Sequence, residues 1–455
     1  MIERMPLMEK ATNIQECLRV FGNGPLTSND IDKFYYQFAN LQRIDITRHL
    51  EYRLQTNTFS YGKYILAGHR GVGKSTELTR AKRNCCSYYS VVIDASDAFG
   101  SGSLNYTNLL VELVNKVGRS VIDAGIIEAN DKAFDFLYNY WDTEIQIKSV
   151  VENVNSYEKK YSNEISAKGN ITTKFGVLDK LKLLLSIGMK GNINSSSSYS
   201  EFGTVDEIIN KTISKNDNIF LEALNMMLDR VQEKLNGKRL LIILENLDKT
   251  PYNKVAYEIY NTHATVIINM HAAIIGTFPV YALYSPEYSN IKDVYDDVFN
   301  LGVVQILGVN HDYLDDGIVS LKQLVYKRME KFLIEENALE FAIKISGGLI
   351  RDLFSLLVGA ATNAGISGKS QIGMADVEEW AYQMEDSYGK FLNSSEMLSR
   401  IKNIFEHPSA QFNDDLLRNL LRFDLVLEYR DGVYVVHPMV LDWANRRGFL
   451  NGSYH

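Results

Sequence analysis

Apolar residues fall along this chain in short runs, most of them closed by a glycine or an acid, and the segments between them carry the helical period. Tyr64-Ile65-Leu66-Ala67, Val91-Val92-Ile93-Asp94, the stretch Arg239 to Asp248, His271 to Pro279 and Val303 to Leu307 do not alternate apolar with polar positions. Runs of that kind predict strands buried on both faces, as in a parallel sheet. Amphipathic segments from Leu109 to Val121 and from Phe220 to Leu235 supply the crossovers. The expected class is therefore α/β, a doubly wound parallel sheet.

Around this core the pattern changes. Residues 1–54 read as helices, with Arg43, Arg48 and His49 just ahead of the core, which we place at 55–310. Within the core, about 122–205 read as an insertion, first aromatic and then rich in Gly, Asn and Ser, with the apolar patch Leu181 to Ile187 assigned to packing within its own domain. From 311 to 390 the apolar faces "SLKQLVYKRMEKFL", "NALEFAIKI", "SGGLIRDLFSLLVGAATNAG" and "MADVEEWAYQM" predict a helical lid. In 391–455 a helix, "DDLLRNLLRF", precedes two runs, Val426 to Tyr429 and Val433 to Val436, that flank an Asp431-Gly432 turn. Helix followed by hairpin predicts a winged-helix-like domain.

The junction "YILAGHRGVGKSTELTR" carries the clearest chemistry. Gly68 to Ser75 fits G-x-x-x-x-G-K-[ST], with a strand before it and a helix after it. Gly68, Gly71 and Gly73 free the backbone to turn several N–H groups onto one anion, with Val72 between them, and the helix N-terminus adds positive potential. The loop predicts a nucleoside triphosphate site for ATP and Mg²⁺. Lys74 bridges the β- and γ-phosphates, Ser75 ligates the metal and Thr76 serves the α-phosphate side. His69 and Arg70, at variable loop positions, are expected to face solvent.

A second set of residues should complete the site from neighbouring strands. The run ending Leu244-Glu245-Asn246-Leu247-Asp248 puts Glu245 at a strand end, as a second metal ligand. Asn246 can orient water but cannot take its proton, which leaves Asp248 as the nearest other carboxylate. Slow turnover follows, and a glutamate at 246 is expected to speed it. Thr277 either senses the γ-phosphate or starts a turn. Arg351, after the Ser346-Gly347-Gly348 step, either points back at phosphate or lies on the surface.

Composition narrows the function classes. The 455 residues are 45% hydrophobic and 23% charged, with a formal net charge of −8 and three cysteines without a C-x-x-C spacing. Those values disfavour a disulfide framework, a zinc site and a surface built to hold phosphate backbones. No apolar run has the length of a leader or of a membrane span, so a cytoplasmic protein that does not cross a membrane is expected. In 391–455 seven Lys/Arg face eight Asp/Glu, so nucleic acid is a less favoured partner than protein.

Taken together, "GHRGVGKSTEL", "ENLDK", "GTFPV" and "SGGLIRDL" with the helix–hairpin end resemble STAND-type and AAA+-related P-loop ATPases, similar to bacterial anti-phage defence ATPases and to the origin-recognition-like branch. The resemblance implies ATP- or ADP-dependent switching, a homo-oligomer or a separate effector protein as partner, and Arg351 as a second sensor. It also implies a DNA-handling loader or transposition-type ATPase as the alternative function. One departure stands out: such families carry Asp followed by Asp or Glu where this chain has Glu245-Asn246.

Overall fold

A computed structural model of the chain describes residues 9–22, 24–38, 45–57, 61–95, 106–128, 131–134, 137, 217–249, 253–408, 412–429 and 432–454. Most of the inserted segment, the Leu181 to Ile187 patch included, lies outside the described residues.

The apolar runs form a five-stranded parallel sheet. Its strands are β1 (Lys63–Gly68), β2 (Tyr88–Asp94), β3 (Arg239–Glu245), β4 (Ala273–Pro279) and β5 (Asp297–Leu301), in the order β2-β3-β4-β1-β5. Successive residues point to opposite faces and enter two separate cores. Tyr64, Leu66, Leu241 and Ile243 pack beneath the N-terminal and lid helices. Ile65, Ala67, Ile242 and Leu244 pack beneath the helices Tyr106–Asp123 and Asp217–Glu233 on the other side. Burial on both faces removes the alternation that a half-solvated strand would show.

One expected strand is displaced. Val303 to Leu307 is largely buried, yet the fifth strand is Asp297–Leu301, six residues earlier and pairing with β1. The apolar run is an extended connection against which the lid closes. A Cβ on Gly348, which sits at φ 81°, would lie 1.9 Å from the Val304 carbonyl oxygen, so glycine is required there.

Following the sheet, lid helices α1 (Asp315–Tyr326), α2 (Glu336–Ile345), α3 (Ile350–Ile366) and α4 (Met374–Gly389) share the first core. The helix read through "SLKQLVYKRMEKFL" ends at Tyr326, and a short 3₁₀ turn, Lys331–Leu333, follows. The N-terminal segment crosses this lid: Ala11 bridges Met329, and Val20 accepts a hydrogen bond from Arg328 Nη1 at 2.8 Å.

The C-terminal domain is winged-helix-like. Helices α5 (Ser395–Glu406), α6 (Asp415–Arg422) and α7 (Pro438–Arg446) surround the antiparallel pair β6 (Val426–Tyr429) and β7 (Val433–Val436). Leu417, Leu420, Leu421, Val436 and Trp443 form its own core. Asp414 caps α6 by accepting from the Leu417 N–H at 2.9 Å, and Arg400 holds the same carboxylate. The fold is a doubly wound parallel P-loop core with a helical lid and this C-terminal domain.

Candidate nucleotide site

At the carboxyl end of β1 the chain turns into the helix Lys74–Asn84 through three glycines with positive φ: Gly68 at 153°, Gly71 at 84° and Gly73 at 107°. An L-residue at Gly71 would also place its Cβ 2.3 Å from the Cβ of Arg351, so the loop is sequence-locked against the lid. Lys74 is buried, and all three of its ammonium hydrogens have acceptors. It donates to the Gly68 and His69 carbonyl oxygens at 2.8 Å each and pairs with Asp248 at 2.9 Å. The lysine is therefore held inside its own loop with a carboxylate partner that an incoming phosphate would replace.

Strand register brings the second set of residues to the same end of the sheet. Asp94 of β2 stands beside Glu245 of β3. Burial, with the Asp94 charge adding to it, raises the Glu245 carboxyl to about 7, against which a hydrogen bond from Ser75 acts. Ser75 and Glu245 thus come close enough to interact, and their oxygens are of the kind that a small hard cation takes. Asn246 sits at φ 65° and donates from Nδ2 to Asp94 Oδ2 at 2.6 Å. Thr277, buried in β4, accepts from the Leu247 N–H at 3.0 Å and so fixes the turn after β3. Asp94 was not singled out in the sequence; its place at the end of a strand was the available signal.

The largest departure from the sequence reading is His69. Rather than facing solvent, it is 1% exposed and reaches the C-terminal domain. Its Nε2 accepts from the Glu428 N–H at 2.9 Å, so the proton is on Nδ1, which donates to Asp424 Oδ1 at 2.9 Å. The other Asp424 oxygen receives Arg351 Nη2 at 3.0 Å. Arg351 is only partly exposed, and its backbone N–H donates to the Gly71 carbonyl at 3.2 Å. Burial lowers its basicity, but Asp352 and Asp424 outweigh that and hold it charged. Arg70, by contrast, is exposed at the cavity rim.

The neighbouring Asp352 makes a parallel connection. Burial pushes its carboxyl up, yet His437, Arg351 and Tyr388 more than offset this and keep it below the usual range. His437 Nε2 lies 3.2 Å from it, at the start of α7. Two consecutive residues of α3 therefore grip the C-terminal domain while the backbone N–H of the first, Arg351, touches the glycine loop.

Between loop, N-terminal segment and lid lies a cavity of about 390 Å³. Lys74, Ser75 and Asp248 border it, and so do the apolar side chains of Leu26, Phe38, Ile350 and Phe354. Among the described residues no helix is long and apolar enough to cross a membrane.

No family model matches the chain, and no curated protein matches it. Among solved structures the chain is similar to Cdc6p from Pyrobaculum aerophilum, at 13% identity over 95% of this chain and 97% of that one, with a TM-score of 0.40. It is similar also to the Aeropyrum pernix ORC2 protein in its ADPNP–ADP complexes, at 10% identity over 95% and 96% of the two chains, TM-score 0.42. The Thermotoga maritima RuvB Holliday junction branch migration motor matches 50% of this chain and 74% of its own, at 13% identity and TM-score 0.25.

Proposed function

We propose that this chain is an ATP-binding, slowly hydrolysing regulatory ATPase whose nucleotide state sets the position of its C-terminal domain, and through it an oligomer or a separate effector protein. The setting we assign is bacterial anti-phage defence, following the resemblance in the sequence. One observation carries the switching part: Asp424 of the C-terminal domain is bonded at once to His69 of the glycine loop and to Arg351 of the lid.

The residues present suit Mg·ATP. Backbone N–H groups of the loop and the helix N-terminus take phosphate oxygens, Lys74 exchanges Asp248 for them, and Ser75 with Glu245 holds the metal. A metal held by Ser75 and Glu245 would supply positive charge to offset that of the phosphates. Asn246, anchored on Asp94, orients water without accepting a proton, so turnover is slow. A terminal phosphate beside Arg351 adds negative charge next to Asp424, weakens that ion pair and loosens the C-terminal domain.

Reciprocity makes the switch measurable: if ATP weakens the Asp424 contact, removing the contact strengthens ATP binding. Asp424→Asn keeps the shape and deletes the charge. We expect calorimetry to show ATP bound about three- to tenfold more tightly by Asp424→Asn than by wild type, within the usual coupling range, with ADP changed less. Equal ATP affinities in a variant of unchanged melting behaviour would reject the switch.

A further inference from the structure

Among the described residues bordering the cavity, Arg328 is a buried cation that no role above uses. It follows the first lid helix and is only 7% exposed. Its guanidinium lies 4.6 Å over the Phe354 ring and 5.9 Å from that of Phe34. Nη1 is committed to the Val20 carbonyl, whereas Nε is buried without an acceptor. The same side chain borders the cavity with Phe354, which stands about one turn along α3 from Arg351, the residue whose N–H meets the Gly71 carbonyl.

A buried guanidinium with an unmatched N–H donor is costly to maintain. The nearby Asp30 supplies charge but does not offset burial, which pulls Arg328 down to about 10. An occupant of the cavity that brought a hydrogen-bond acceptor would satisfy it. Phosphate is already provided for by Lys74 and the loop amides. What remains for Arg328 and the apolar lining is a flat, partly apolar group with acceptor atoms on its edge, which is the description of a nucleobase.

The geometry points to Arg328 as the base-reading residue of the nucleotide site, donating from its free edge to an acceptor atom of a base packed among Phe354, Ile350 and Leu26. This rests on the nucleotide reading above and adds to it the source of base recognition. Because guanidinium offers donors only, a base presenting an amino group at that edge is disfavoured and one presenting a ring nitrogen or carbonyl is accepted. The N-terminal segment gains a role too, since Val20 fixes the guanidinium by its carbonyl.

The test separates base from phosphate by comparing ATP with inorganic tripolyphosphate, using calorimetry on the full chain. Wild type is expected to bind ATP more tightly than tripolyphosphate. In Arg328→Met, which keeps the stem and the aromatic packing, that ratio should fall about tenfold or more, as for loss of a charge-assisted hydrogen bond, while tripolyphosphate affinity stays within twofold. Arg328→Lys retains the buried charge and guards against a folding defect; it should hold tripolyphosphate normally and still lose base discrimination. Equal losses for both ligands in both variants would make Arg328 merely structural and overturn the assignment, as would an unchanged ratio. Lys74→Ala should instead weaken both ligands alike. A wild-type chain that binds neither ligand would refute the nucleotide reading and this inference together, whereas wild-type binding with an unmoved ratio refutes this inference alone.

Discussion

Asn246 shows how one contact changes the meaning of a substitution. From the strand-end pattern alone, a glutamate at 246 is a gain: it adds the proton acceptor that the chain lacks. In the structure the Asn246 amide donates to Asp94, beside a Glu245 whose carboxyl is already raised by burial and by that same Asp94. A glutamate would turn a donor into a third acid, at a positive-φ position that asparagine tolerates better. Losing a hydrogen bond to a charged group costs about 1.5–3 kcal/mol before any repulsion is added. We therefore expect Asn246→Glu to lower the melting midpoint and to leave phosphate release at pH 7 no faster than wild type. Faster release at an unchanged midpoint would restore the simpler reading.

Elements whose cause is local were legible in the sequence, and those whose cause is distant were not. Strands β1 to β4, the glycine loop and the hairpin β6–β7 follow from contiguous residues, and the fold class followed with them. Val303 to Leu307 was misplaced because an apolar run reports burial, which a connecting segment under the lid also has, and does not report pairing. His69 was misread because its partners, Asp424 and Glu428, lie 355 and 359 residues away. Helix packing between α4 and α7 supplies a further test of the same distant kind. Burial raises Glu385 of α4 to about 7, Arg446 of α7 acts against this, and Asp442 and Asp386 add to it. A folded-state value above the ordinary 4.5 means that the folded protein holds this proton more tightly than the unfolded chain. The stabilisation is complete below about 4.5 and is lost as pH rises through about 7. Solvent screening keeps the effect near 1 kcal/mol or below. Thermal melts of Glu385→Gln should thus fall roughly 2 °C less than wild type between pH 5 and pH 8; parallel pH profiles would show that Arg446 dominates.

At the scale of the whole molecule, charge separates an ATPase that signals through protein contacts from one that handles DNA. The chain carries −8, and its C-terminal domain is the element a DNA reader would use. Among the described residues, most of its arginines are spoken for. Arg400 is held by Asp414, Arg418 by Asp415 and the Tyr284 carbonyl, and Arg446 by Glu385, while Arg447 stacks on Trp443. Each cation moved to a DNA phosphate would have to leave a carboxylate or a ring, so the net gain per contact is small. Affinity for duplex DNA rises with the number of phosphates neutralised, and the logarithm of the binding constant falls with that of salt at about −0.9 per contact. With few cations to offer, the full chain should bind random duplex more weakly than about 10 μM at physiological salt, with a slope shallower than about −3. The measurement is a fluorescence anisotropy titration from 50 to 200 mM salt, with and without ATP. Tight binding that appears only with ATP and weakens steeply with salt would mean that loosening the Asp424 contact uncovers a basic face, and the chain would then be a nucleotide-gated DNA-binding ATPase.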